Sequence, residues 1–307
     1  MKSKHFILFA FAVLLLGCDS GEEKESPTKG RLVFSVSETI APMAKQMAAK
    51  FENIYEDSKI DINVVSAREA IVHLLNDSVE IIIISRSLNE EEQSVVDKAG
   101  LNVRQVEIAV GGFIVITNKQ NPVKGLRVSQ LDSIYDGRIT RWSELGWKNS
   151  TALVKFFIPD RNSDVYESMQ KKFSPDKALP KYFFPLSSSD SVIQAVSITS
   201  NAMGMIGLNY YDTTYSGIKF LELSDRSELS DSLGVSGLYF SPAQAFVYRK
   251  HYPLWTPVYI YSNIKSVGLA SGFISFISSV QGQKIVLNNG LVPATMPVRI
   301  IQLNRGE

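Results

Sequence analysis

From Arg31 to Gly100 the chain passes three times through one order, a short β-rich run followed by an amphipathic helical pattern. RLVFSVS precedes APMAKQMAAKFENIY, in which Met43, Met47 and Phe51 share one helical face and Pro42 suits a first turn. KIDINVVS precedes SAREAIVHLLN, which opens on a Ser-x-x-Glu capping pattern from Ser66 to Glu69. EIIIIS, apolar enough to be buried on both faces, precedes NEEEQSVVDKAG, with Asn89 and Glu92 at its start and Gly100 at its end. Consecutive strand-then-helix units predict an α/β fold with a parallel sheet, because parallel neighbours need a crossover and the helix supplies it. Ligands of such sheets collect at the carboxyl ends of the strands.

Residues 103 to 118, VRQVEIAVGGFIVITN, form a longer apolar run than one small lobe needs and are read as carrying the chain from one lobe into another. VSQLDSIYDGRITRWSELG reads as a helix ending at Gly137, then a turn-rich segment. LVKFFIPDRNSDVYESMQKKF reads as strand, loop, helix, and SSDSVIQAVSITSNAMGMIGLNYY as helix, then strand. After the polar stretch SDRSELSDSLG, apolar character returns at LYFSPAQAFVYRK, and two helical runs, LASGFISFISSV and GQKIVLNNG, follow.

The first seventeen residues join a basic head, Lys2 and Lys4, to an apolar run too short for a comfortable membrane span. That run ends at LLGC, which resembles the lipobox of bacterial lipoproteins and makes Cys18 the expected lipidation site. A cleaved signal with an incidental cysteine is the alternative. Cys18 is the single cysteine of the chain, so it has no disulfide partner within it. DSGEEKESPTKG, acidic and nearly free of apolar residues, is read as a flexible tether. The expected plan is a lipoprotein signal peptide over 1–17 and a tether over 18–30, with the body lipid-anchored outside the cytoplasm, in the periplasm or at the cell surface.

Net charge is +1, and without Lys2 and Lys4 it becomes −1. With no basic stripe and with its aromatic residues in apolar runs, the chain lacks the footprint of a nucleic-acid binder. The three histidines, His5, His73 and His251, stand in no triad or metal spacing, and no G-x-S-x-G or P-loop is present. The expectation is therefore no enzyme, no metal and no cofactor.

Hydroxyls mark four strand-to-helix junctions: Ser37 and Thr39, Ser66, Ser85, and Ser163. A serine at such a place usually just caps a helix. Four helix starts converging from two lobes predict a cleft of free donors, able to strip water from a tetrahedral oxyanion without a metal.

The order of motifs resembles the phosphate-binding proteins of bacterial ABC importers, within the type II periplasmic-binding proteins. It is carried by VSETIAP, VVSAREAI, EIIIISRSL, GLRVSQLDSIYDGRITRWSELG, PDRNSDVYE, SSSDSVIQAV with MGMIGL, YPLWTPVYIY and GQKIVLNNGLVP, from about residue 31 onward. IYDGRITRWSELG and GQKIVLNNGLVP are its most specific pieces. The resemblance implies two α/β lobes closing on phosphate, one of 31–111 plus 245–307 and the other of 112–244. It also implies a monomer that delivers its ligand to an ABC importer permease. It puts the first anion loop on Ser37, Glu38 and Thr39, the second on Ser66, the third on Ser85 with Arg86, and the fourth on Arg161, Ser163 and Asp164.

Several positions depart from that pattern. Ala67, Arg68 and Glu69 replace glycines after the second loop's serine, Glu80 replaces an aspartate, and only Asn162 separates Arg161 from Ser163. Asp164 stands where the family has glycine. With Glu167 it predicts an Asp-x-x-Glu capping box. Two unit charges ~4 Å apart at an effective dielectric of ~20 repel by about 4 kcal/mol, nearly a thousandfold in affinity. Two expectations stay open, a transport subunit binding phosphate or a related small oxyanion, and a sensor or surface lipoprotein with altered or lost ligand binding.

Overall fold

The computed structural model describes residues 26–173 and 179–295; Cys18, the signal sequence and the first part of the expected tether lie outside the described residues. The chain enters at Ser26, which forms an isolated β-bridge with Lys29.

The first three units form as the patterns predict. β1 (Gly30–Ser37) leads through a 3₁₀ turn, Glu38–Ile40, into α1 (Ala41–Ile54), with Pro42 in its first turn and Met43, Met47 and Phe51 buried. β2 (Ser58–Val65) leads into α2 (Ala67–Leu75), where Ser66 accepts a hydrogen bond from the backbone N–H of Glu69. β3 (Ile81–Ile84), buried at all four residues, leads into α3 (Glu90–Ala99). There Asn89 and Glu92 form the reciprocal capping box, and Gly100 ends the helix at φ 61°, a left-handed conformation in which glycine bears no Cβ penalty. β1 pairs in parallel with both β2 and β3.

β4 (Arg104–Asn118) is the long apolar run. After it come β5 (Gly125–Arg127), α4 (Val128–Tyr135), β6 (Lys155–Pro159), α5 (Asp164–Phe173), β7 (Phe183–Leu186), α6 (Ser189–Ile198) and β8 (Ala202–Gly207). The short β9 (Ile218–Phe220), β10 (Glu222–Ser224), α7 (Glu228–Ser232), β11 (Tyr239–Phe240) and α8 (Gln244–Tyr248) lead back to β12 (Trp255–Ser262). α9 (Leu269–Ser278), α10 (Val280–Asn288) and β13 (Val292–Pro293) complete the described chain.

The main sheet runs β2-β1-β3-β12-β4-β8-β6-β7, with β9 and β13 also on β4. β4 joins its two halves: residues 104 to 112 pair antiparallel with β12, and 113 to 117 pair antiparallel with β8. At the changeover a Cβ on Gly112 would stand 2.4 Å from the carbonyl oxygen of Leu254, so only glycine lets the two backbones meet there. One buried core runs through both halves. A smaller one packs Ala67, Ala70, Ile71 and Leu74 of α2 on Ile82, Ile84 and Tyr261.

Residues 26 to 30, the last of the expected tether, are not loose: a Cβ on Gly272 of α9 would meet the carbonyl oxygen of Pro27 at 1.7 Å, so Pro27 sits directly on that helix.

Candidate functional site

Val36 pairs with Ile83, so the carboxyl ends of β1 and β3 lie side by side, and Ser37 and Ser85 leave the sheet at the same edge. From the other half, β6 ends at Pro159 and turns into α5 through a loop closed by Ser163 N–H donating to the Asp160 carbonyl at 2.9 Å. Ser163 caps the helix, its hydroxyl accepting from the Tyr166 N–H at 3.2 Å.

Asp164, the first residue of α5, directs its carboxylate into the strand ends. Thr39 donates its hydroxyl to Asp164 Oδ2 at 2.5 Å, and the Ser85 N–H donates to Oδ1 at 3.2 Å. The hydroxyls of Ser37 and Thr39 are 3.2 Å apart. Asp164 is wholly buried. Burial pushes its carboxyl above the ordinary value, although hydrogen bonds from Ser37 and Thr39, the charge of Arg86 and the Ser85 N–H pull the other way.

The capping box expected between Asp164 and Glu167 does not form. Ser163 holds the cap and Glu167 reaches Arg86 at 3.0 Å. A buried strand-end donor cannot turn to water and needs an acceptor more than a helix start that Ser163 already serves.

Arg86 is buried and shared. Its guanidinium makes a two-pronged contact with Glu92, at 2.8 Å on each arm, besides the bond to Glu167. For Glu92, burial acts upward, but the Arg86 hydrogen bond and charge and the Asn89 N–H outweigh it and hold the carboxyl below its usual value. For Glu167 burial wins, and its carboxyl is raised.

Glu38 points the other way, across to the second half. The Ser189 N–H at the start of α6 donates to its Oε1 at 2.9 Å, the Ser189 hydroxyl to Oε2 at 3.1 Å, and the Tyr210 hydroxyl to Oε1 at 3.2 Å. Burial raises its carboxyl despite these donors. The two halves thus exchange carboxylates: Glu38 takes the first N–H of α6, whose cap is Ser188, and Asp164 fills the donors around Ser85.

Of the residues expected to bind, the structure brings together Ser37, Thr39, Ser85 and Asp164, with Arg86 near enough to act through its charge. Ser163 serves its own helix. Ser66 is the cap of α2, and Arg161 is exposed. Sequence reasoning did not reach Thr256, whose hydroxyl lies 3.2 Å from that of Ser85, nor the roles of Ser189, Tyr210, Glu92 and Glu167. It also missed Asn209. Its side-chain amide is buried near Gly207, where a Cβ would touch both Asn209 and Thr39, and neither amide atom finds a partner among the described residues. Arg86 Nε is likewise buried without one. Spare buried donors of this kind call for an acceptor.

The donor set suits a tetrahedral oxyanion, and the place it surrounds is taken by a carboxylate of the chain itself.

A family model described as the PBP superfamily domain matches residues 21–281. Among curated proteins, the "Phosphate-binding protein PstS" of Staphylococcus saprophyticus is 24% identical over 279 residues, covering 89% of this chain and 83% of that one. A Clostridium perfringens structure assigned to the phosphate ABC transporter substrate-binding proteins, solved with bound phosphate, is 27% identical at a TM-score of 0.72. It covers 86% of this chain and 100% of its own. The ABC-type phosphate transport receptor of Vibrio cholerae, 19% identical at a TM-score of 0.67 with coverages of 86% and 100%, shares the fold.

Proposed function

The chain belongs to the PBP superfamily, and we propose on that basis that it is the extracytoplasmic solute-binding subunit of an ABC importer, taking phosphate or a related small oxyanion between its lobes. The observation that supports this most is the convergence of Thr39, the Ser85 N–H and the Ser37 hydroxyl on one buried point beside Arg86. Fixed donors in a water-poor site are how a protein holds an oxyanion without a metal. The descriptions of the similar proteins from Staphylococcus and Clostridium point to the same ligand. Here an incoming oxyanion competes with Asp164.

The proposal includes the lobe boundaries, 31–111 plus 245–307 and 112–244, with hinge motion at the two crossings near Gly112 and residue 245. The chain acts as a monomer and catalyses nothing. It includes anchoring through Cys18; among the described residues no helix is long and apolar enough to cross a membrane. Cys18→Ala releases the protein from the membrane fraction or leaves uncleaved precursor; unchanged partition removes the anchor from the proposal.

Asp164 itself favours a second reading, a sensor or surface lipoprotein that has left transport. Calorimetry with phosphate and sulfate separates the two. Binding by the parent supports the transport reading, whereas binding by Asp164→Gly alone shows an oxyanion frame whose ligand the parent has lost, as the second reading holds. Failure of both proteins to bind either anion leaves the second reading.

A further inference from the structure

Beside the inner donors lies a separate cavity of about 610 Å³, open to solvent and lined by Arg68, Arg161, Lys171, Glu90 and Glu91, with Arg86 and Glu167 along its wall. That volume falls in the range of small-molecule sites, ~300–1,000 Å³. Arg86 and Glu167 are committed to each other. The other three cations are exposed and form no ion pair or side-chain hydrogen bond among the described residues. Two of them are held together by the fold: the backbone N–H of Arg68 donates to the carbonyl of Asn162 at 3.2 Å, tying the start of α2 to the loop that carries Arg161. Lys171 lies on α5, which begins where that loop ends. Cations from both halves of the sheet are therefore presented to one space.

Guanidinium forks match planar carboxylates and phosphoryl groups, and a lysine adds a point charge. Glu90 and Glu91 disfavour a small, densely charged ion and favour a ligand with hydroxyl or amino groups at its other end. We propose that this outer cavity binds a small organic anion, with its phosphoryl or carboxylate terminus on Arg68, Arg161 and Lys171 and its polar body toward Glu90 and Glu91. The inference rests on the reading of the molecule as a solute-binding protein. It extends the ligand class from inorganic oxyanions to larger organic acids, and it assigns Arg161 to this outer space instead of the donors around Asp164.

The test is calorimetry on the purified protein with glycerol 3-phosphate, succinate and inorganic phosphate. One of the two organic anions binds at least tenfold tighter than inorganic phosphate, and which of them binds identifies the terminus. Arg161→Glu combined with Lys171→Glu, both at exposed positions, lowers that affinity at least tenfold, with unchanged circular dichroism showing that the fold persists. Asp164→Gly changes the inorganic phosphate affinity and leaves that of the organic anion within about twofold. No binding of either organic anion at millimolar concentration, or an affinity that the double variant does not alter, overturns the proposal. An oxyanion response confined to Asp164→Gly would then still stand for the donors around Asp164, so the two readings fail separately.

Discussion

Thr39 and Asp164, 125 residues apart, meet through a hydrogen bond of 2.5 Å in which the threonine hydroxyl donates to a wholly buried carboxylate. The carboxylate takes the donors of the strand ends and so stabilises the structure while excluding an outside anion. Asp164→Gly separates the two effects. Without the carboxylate, the Ser85 N–H and the Thr39 hydroxyl lose their acceptor, which costs about 1–3 kcal/mol each at most. Lower thermal stability in phosphate-free buffer, recovered on adding phosphate, is the expected result, because a ligand that binds only the folded form stabilises it by mass action. Phosphate affinity rises by about ten- to a thousandfold, the upper figure being the unscreened limit. A variant as stable as the parent, with unchanged affinity, contradicts this arrangement.

Burial of three carboxyls predicts a local stabilisation by acid, against the usual trend and opposed by Glu92, whose lowered carboxyl loses its contribution as pH falls. Asp164, Glu38 and Glu167 all have carboxyls raised by burial. A carboxyl raised in the folded state binds its proton there while the unfolded chain has already released it. Its contribution is fully present below the unfolded value, 3.8 for Asp164, and is lost as pH rises through the raised folded value. Urea midpoints measured from neutral pH downward should rise before general acid unfolding begins, and Asp164→Asn should flatten that rise. A midpoint that only falls with acid argues against protonation of these groups.

Arg86 holds two carboxylates out of water, Glu92 and Glu167, whose side chains are 11% and 18% exposed. Replacing it by methionine removes the cation bonded to both and leaves them only the more distant charge of Arg68. The expected loss is about 3–5 kcal/mol at neutral pH, smaller in acid where the carboxyls take up protons. Denaturant titration at two pH values measures both figures, and a loss below about 1 kcal/mol means the pair is relieved by water.

Gly112 carries no side chain because β4 and the chain before β12 touch there. Gly112→Ala forces Leu254 away and should cost about 1–3 kcal/mol. Gly100→Ala meets nothing within 4 Å and suffers only its left-handed φ of 61°. Equal losses in the two variants would show that the crossing yields.

The three strand-helix units were legible because their rules are local. The methionine face of α1, the Asn89 and Glu92 box and the glycine after α3 each depend on residues within a few positions. The resemblance implied a return of the chain's end to the first lobe, but the place of β12 between β3 and β4 was not legible, since pairing between strands so far apart follows no local rule. In the site, the conflict at Asp164 was readable, but of the hydroxyls expected to converge only those of Ser37, Thr39 and Ser85 come together, while Ser66 and Ser163 cap their own helices. The direction of the Asp164 side chain was not legible. Asp-x-x-Glu fits a helix cap as well as a long-range acceptor, and the choice is made by orphan donors on distant strands. Glu38 poses the same problem, with its partner Ser189 151 residues away.

Pro27 seated on Gly272 fixes where the leader joins the body. With Cys18 as the proposed anchor, only residues 18 to 25 span the gap to the first described residue, Ser26. Even stretched to their geometric limit they reach about 28 Å, since a chain covers at most ~3.5 Å per residue. Under that proposal the protein would be kept on a short leash. Its α9 side would stay close to the bilayer, and the search for an importer would become a lateral one, confined to a layer little deeper than the molecule itself. Neutron reflectometry on supported bilayers measures that layer directly, and a body centred much farther from the lipid would refute the anchor.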